Sequence, residues 1–381
     1  MTQTVLLGDI CDIKIGRTPP RKQPQWFSES HGIKWASIKD MGNTGKYISQ
    51  TSEFLTADAI KKFNIPIIPA GTLLMSFKLT VGRLGFTEYD MCSNEAIAQL
   101  PIRDPDIVDK NYLYYYLKNF NFGSLSSTSS IATAVNSKTV KNISVNLPPL
   151  DQQKKIANIL GSLDEKIELN CRMNETLEQL GQALFRHYFV DNPEAKSWDK
   201  KPLDEIANFL NGLAMQKYPK INGQRTLPVI KIREMSSGIT DSTDIASANI
   251  PEEYIVHDGD LLFSWSGTLL VKFWSGGDGA LNQHLFKVTS DKYPEWLYYY
   301  WTKYHLDQFI LIAKSKATTM GHIQRKHLKQ AEVIVPPNIE EMTSEFTPII
   351  DQIKTNLFET NSLVNIRDSL LLKLISGEIK I

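Results

Sequence analysis

At 381 residues, 42% hydrophobic and 22% charged, the chain has an ordinary globular composition and room for two or three domains, which excludes a disordered or fibrous protein. No apolar run approaches the roughly 18 to 20 residues needed to cross a bilayer, and the opening MTQTVLLGDICDIK lacks the basic-then-apolar order of a signal peptide, so a cytoplasmic chain without a membrane partner is expected. A net charge of zero excludes a uniformly basic nucleic-acid binder, leaving only local basic clusters to meet phosphates.

In chain order, the first 150 residues carry 16 Lys and Arg against 12 Asp and Glu. The runs TLLMSF and NISVNLP, bounded by Gly, Pro and Asn, read as strands, and LYYYLKNF reads as a helix, so this module is expected to be α+β. Its aromatic triplet Tyr114 to Tyr116 reads as core rather than as a base-stacking surface. Residues 151–190 follow without a proline and read as one long helix. Its residues Ile156, Leu160, Leu163, Ile167, Leu177 and Leu184 keep to steps of three, four and their sums, a narrow apolar seam that needs a partner helix. Residues 191–338 form a second α+β module, with DLLFSW and AEVIVP as strands and LYYYWTKYHLDQFI as a helix. Residues 339–381 supply the second long helix, with its own seam at Ile350, Ile353, Leu357, Val364, Leu371 and Leu374.

The two modules repeat one plan. Leu7, Asp9, Ile10 and Gly16 return as Leu203, Glu205, Ile206 and Gly212, and IKDM returns as IREM. Gly71, Leu73, Leu74, Ser76, Thr80 and Asn94 meet Gly259, Leu261, Leu262, Ser264, Thr268 and Asn282 at a constant shift of 188. YLYYYL recurs as WLYYYW and VNLPP as VIVPP, each PP preceding a long helix. Matches in this order imply a tandem duplication of head plus helix. Because the ends of a compact domain lie close together, the end of the first helix is expected near the start of the second. The helices are then antiparallel, roughly 60 Å long at about 1.5 Å per residue, and related with their heads by a pseudo-two-fold axis.

Catalytic signatures are missing: there is no GxxxxGK[ST], HExxH or GxSxG. No catalytic, cofactor-binding or metal site is expected. SGGDGAL (Ser275 to Leu281) reads as a hairpin turn, and Asp164 to Lys166 as solvated charge on a helix. Cys11, Cys92 and Cys171, an odd number without CxxC spacing, indicate neither a disulfide framework nor a zinc site and are expected to be buried or inert.

Polar and basic loops in matching places of the two modules remain. The first module offers Arg17, Arg21, Lys22, Lys39, Asn43, Lys78, Thr80, Arg83, Ser129, Ser130, Thr133, Asn136 and Lys138. The second offers Lys217, Lys220, Arg233, Ser266, Thr268, Asn282, Gln283, His284, Lys316, Thr318, Thr319, His322, Gln324, Arg325 and Lys326. Lys and Arg hold phosphates, and Asn, Gln, Arg, Ser and Thr read base edges. Loops that differ on a repeated framework are what two readers of different bases require.

Through LGDI…G, LLMSF and LLFSW, LYYYL, NLPPLDQQKKIANILGSLDEKIELN and LGQALFRHYF, essentially the whole chain resembles the specificity subunit of type I restriction-modification enzymes. The resemblance implies two target-recognition domains, at 1–150 and 191–338, on a coiled-coil-like spacer of conserved helices. It also implies double-stranded DNA as a partner, two methyltransferase subunits and, through them, two restriction subunits. S-adenosylmethionine, ATP and Mg belong to those partners, and no catalysis to this chain. The competing reading is a structural adaptor whose two heads bind proteins on a helical strut.

Overall fold

The computed structural model describes residues 2–42, 45–125, 136–315 and 321–381. It divides into two compact units, Met1–Glu168 with Leu363–Ile381, and Leu169–Ser362. Both boundaries fall inside long helices, Leu150–Phe185 and Ile339–Ser376, so each unit comprises a mixed α/β head and a stretch of each helix.

In the first unit, a five-stranded sheet has the order Lys14–Ile15, Ile97–Leu100, Leu73–Ser76, Leu84–Thr87, Tyr47–Ile48. Leu73–Ser76 is central and every residue in it is buried, as its unbroken apolar run requires. A second sheet orders Phe27–Ser28, Glu53–Leu55, Ile33–Ala36 and Cys92–Ser93, the last two paired in parallel. A separate ribbon joins Gln3–Leu6 to Ser144–Leu147, where Val145 and Leu147 point inward and Ser144 and Asn146 outward. Asp109 caps helix Lys110–Lys118 by accepting from the Tyr112 amide at 2.8 Å. Tyr112, Tyr114 and Tyr115 are buried there, and the Tyr112 hydroxyl donates to the Asn146 carbonyl at 2.7 Å. Tyr114 and Tyr115 of the triplet are therefore core, each ring contributing about 2 kcal/mol by burial, while Tyr116 is half-buried.

The helix segments close this unit. Ile156 and Leu160 are buried in one apolar cluster with Leu371 and Leu374, while Leu163, Ile167 and Val364 are half-buried. Asp164 is not solvated as its charge suggested. Its carboxylate accepts from Arg367 Nη1 at 2.9 Å and from the Tyr115 hydroxyl at 2.6 Å, with side-chain exposures of 11% for Asp164 and 14% for Arg367. The position lies four residues past Leu160, on the inward register of the helix.

The second unit repeats the central strand order of both sheets but not their edges. One sheet orders Asn208–Asn211, Leu285–Thr289, Leu261–Ser264 and Val271–Phe273. The other orders Ile245–Ser247, Thr226–Ile230, Gly279–Leu281 and Ile255–Val256, again with one parallel pair, Val229 and Ile230 against Ala280 and Leu281. A ribbon joins Asp199–Pro202 to Glu332–Val335. Because Val271–Phe273 and Gly279–Leu281 belong to different sheets, SGGDGAL is a crossover between sheets and not a hairpin turn. Helix Glu295–Ser315 buries Trp296, Tyr298, Tyr299, Tyr300 and Trp301, and Trp296 stacks on Phe346 at 4.5 Å between centroids.

Within this unit the two long helices run antiparallel. Asn170 donates to Glu359 at 2.9 Å, Asn356 donates to Asn174 at 2.8 Å, and Tyr188 donates to Glu345 at 2.9 Å, so rising numbers meet falling ones. Ile350 and Ile353 are buried; Leu177, Leu184 and Leu357 are half-buried. The first long helix is α-helical to Phe185 and ends in a wider π turn, Arg186–Val190. Cys11 and Cys92 are buried, but Cys171 is exposed.

Candidate nucleic-acid interface

The LGDI…G motif explains its own repetition. Gly16 donates its amide to the Ile97 carbonyl at 3.3 Å and packs flat against the backbone of Ser93 and Asn94; a Cβ would overlap their carbonyl oxygens. Gly212 donates to Leu285 at 3.0 Å and packs in the same way on Leu281 and Asn282. Asn94 and Asn282 form matching turns, their side chains accepting from the amides of Ala96 at 3.0 Å and His284 at 3.3 Å. Asn282 is buried, 3% exposed, so this candidate base reader shapes a turn.

IKDM and IREM also have a structural cause. Each places a buried carboxylate in the first turn of a short helix, where it accepts from the amide just before the helix; with Ser37 the cap is reciprocal, whereas Lys231 has no acceptor to return the bond. Burial works to raise the Asp40 pKa, but hydrogen bonds from both the amides and hydroxyls of Ser37 and Ser52 hold it below the usual carboxylate range. Glu234 is held low in the same manner: burial opposes, while Arg233, Thr243 and the Lys231 amide donate to it.

The candidates of the first unit divide into pinned and presented side chains. Arg17 donates to the carbonyls of Phe63 and Asn64 at 3.0 and 2.9 Å, closing the helix Ala57–Phe63. Arg21 forks onto Glu53 at 2.7 and 2.9 Å and lies 4.4 Å over Phe27 and 4.5 Å over Trp35. Arg83 donates to the Ile38 carbonyl at 2.5 Å, and Asn136 caps Ser137–Lys141. Lys22, Lys39, Lys78, Thr80 and Lys138 are exposed, and their side chains make no hydrogen bond or ion pair with a described residue. Asn43, Ser129, Ser130 and Thr133 lie outside the described residues.

The second unit gathers its candidates more tightly. Ser266, buried, meets His284 Nδ1 at 3.0 Å, and Gln283 meets His284 Nε2 at 3.3 Å. His284 and His322 flank the Trp265 ring at 5.7 and 6.2 Å, and Arg325 lies 5.7 Å over Phe286 while donating to the Phe209 carbonyl at 3.2 Å. Trp265 anchors this group by donating to Asn211 Oδ1 at 2.8 Å. Neither Trp265 nor Phe286 was picked out from the sequence; their signal was their alternation with Ser264 and Leu285 at the ends of two paired strands. Arg233 is held by Glu234 and by the Ser242 carbonyl at 2.9 Å. Lys217, Lys220, Thr268, Gln324 and Lys326 are exposed, and Lys316, Thr318 and Thr319 lie outside the described residues.

The two units build similar hairpin loops with different tips, the second loop one residue shorter. Ser76 Oγ donates to the Thr80 carbonyl at 2.5 Å and accepts from the Arg83 amide at 2.9 Å; Ser264 Oγ donates to Thr268 at 2.6 Å and accepts from the Leu270 amide at 2.7 Å. The closing serine explains LLMSF and LLFSW, and the tips between the serine and threonine are FKL in one unit and WSG in the other.

No helix among the described residues is long and apolar enough to cross a membrane, and none of their His, Cys, Asp and Glu side chains form a metal-holding group. A family model described as type I restriction modification DNA specificity domain matches residues 2–179 and 195–364. The chain is 25% identical to the type I restriction enzyme MjaIX specificity subunit of Methanocaldococcus jannaschii, over 98% of this chain and 93% of that one. It is 22% identical to the HindI specificity subunit of Haemophilus influenzae, over 63% of this chain and 70% of that one. The crystal structure of a type I restriction-modification system S subunit from M. genitalium aligns over 98% of this chain and 96% of that one, with a TM-score of 0.59 at 16% identity, which establishes likeness of fold.

Proposed function

The chain belongs to the type I restriction modification DNA specificity family, and from that premise we propose that it is the non-catalytic subunit that reads a bipartite, asymmetric DNA site for a type I restriction-modification complex. The observation that carries this reading is a similar hairpin loop built in each unit around the same serine hydrogen bond, with unlike tips. A common frame with different reading groups is what two different half-sites call for.

In this proposal residues 1–150 and 191–338 are the target-recognition modules, and the helices 151–190 and 339–381 are an antiparallel spacer with a pseudo-two-fold axis through it. Half-site centres are then about one helical turn, roughly 34 Å, apart, with the base pairs between them largely unread. Lys22, Lys39, Lys78 and Lys138 on one side, and Lys217, Lys220 and Lys326 on the other, contact phosphates. Outward faces of the helices dock two methyltransferase subunits and, through them, two restriction subunits. S-adenosylmethionine, ATP and Mg act in those partners.

Salt dependence tests the phosphate assignment. The log of the association constant of the methyltransferase-bound chain for its duplex should fall linearly with log salt. Replacing Lys22 and Lys78 by alanine should flatten that slope by about 2. A slope unchanged by both substitutions would remove these lysines from the interface.

A further inference from the structure

Leu79 is 92% exposed and holds a left-handed backbone, φ +59°. That region crowds any residue with a Cβ. At the matching position of the second unit the chain uses glycine, Gly267, at φ +64°. In both units the serine donates to the carbonyl four residues on, just past this position, so that shared turn imposes the backbone conformation although the second loop is one residue shorter, and glycine meets it without strain. In the first unit a leucine bears that strain and gains nothing from burial in return. Folding of this chain therefore gives no reason for leucine here, and strain kept at an exposed tip is a mark of a contact made elsewhere.

The tip is also rigidly presented. Ser76 and Arg83 exchange hydrogen bonds across the stem, and Arg83 Nη1 ties the stem to the Ile38 carbonyl. Leu79 projects between exposed Lys78 and Thr80, and Lys78 has no carboxylate partner among the described residues. Resting on the DNA-reading function above, we propose that Leu79 is a specificity-determining residue whose isobutyl group meets the C5 methyl of a thymine in the major groove. A leucine side chain has neither donor nor acceptor, and thymine is the only base that shows an apolar group in that groove. Lys78 and Thr80 then supply the adjoining phosphate and polar contacts.

The test uses the full chain bound to its methyltransferase subunits, with the duplex site those subunits methylate. Each thymine in the half-site read by the first unit is replaced in turn by deoxyuridine, which removes only the methyl. For the wild type, one replacement should weaken binding by about 5-fold, the worth of one buried methyl. Leu79→Gly should bind the thymine site about 5-fold less tightly, ignore the deoxyuridine replacement, and melt no lower than the wild type. Indifference of the wild type to every replacement, or equal sensitivity in Leu79→Gly, would overturn the contact. So would a half-site without an A·T pair, or a variant that loses its methyltransferase subunits while binding DNA normally. Failure of the wild-type complex to prefer any sequence would overturn the DNA-reading function itself, and this proposal with it.

Discussion

Replacing Arg367 with alanine is expected to destabilise the first unit by about 3 kcal/mol, read as a shift in its denaturant midpoint. The guanidinium is the ion-pair partner of Asp164 at 2.9 Å, with both side chains largely withdrawn from water. Removing it leaves a desolvated carboxylate held only by the Tyr115 hydroxyl. Burial lowers the pKa of Lys46 and of Lys118, while Asp164 pulls each back up, so both amines stand within electrostatic reach of the stranded carboxylate. Their presence sets the cost at the low end of the range for breaking a buried pair. Replacing both partners, with Asp164→Leu and Arg367→Met, should cost less than Arg367→Ala alone, because no charge is stranded. That double variant orphans the Tyr115 hydroxyl, at about 1 to 3 kcal/mol, and adding Tyr115→Phe should recover much of it. A double variant less stable than Arg367→Ala would show that the pair is a net source of stability.

Gly16→Ala is expected to cost about 3 kcal/mol, the upper end for overpacking. The added methyl meets the Ser93 and Asn94 carbonyls, and backbone held in a sheet yields less readily than a side chain. Gly212→Ala should do the same in the second unit against Leu281 and Asn282. Each substitution displaces the turn beside a hairpin tip, so sequence preference should relax in one half-site and stay intact in the other. Urea titration gives the stability, and selection from randomised duplexes gives the preference. Gly16→Ala leaving both unchanged would mean that the Ser93–Asn94 turn can retreat freely.

The fold was legible where a local rule left a repeated mark. Gly16 and Gly212 recur because only glycine fits against a carbonyl, and Ser76 and Ser264 because a hydroxyl closes each loop. Most of the tyrosine triplets were readable as core because large aromatic side chains on a globular helix are more often buried than presented, although Tyr116 is only half-buried. Long-range pairing was less readable. Nothing local in SGGDGAL separates a hairpin from a crossover, since that depends on Gly279–Leu281 pairing with strands far off in the chain.

Polar residues also sit on the helix seams, where apolar spacing by itself does not mark them. Asp164 lies four after Leu160, Arg367 three after Val364, and Asn170 and Asn174 continue the steps from Ile167 to Leu177. Extending the periodicity to polar types would have found all four. Among the candidate DNA contacts, charge alone could not separate Arg17, Arg21 and Arg83, which are tied to carbonyls or a carboxylate, from Lys22 and Lys78, which are not. Partners distant in sequence decide which cation faces outward.

Methylation mapping of a host genome carrying this chain with its methyltransferase subunits tests the central claim most directly. The account predicts modification at one motif made of two short, unlike half-sites separated by a fixed run of unspecified bases. It also predicts that exchanging residues 73–86 for their counterparts 261–273 changes only one half. A single uninterrupted motif, two identical halves, or an exchange that alters both halves together would contradict it.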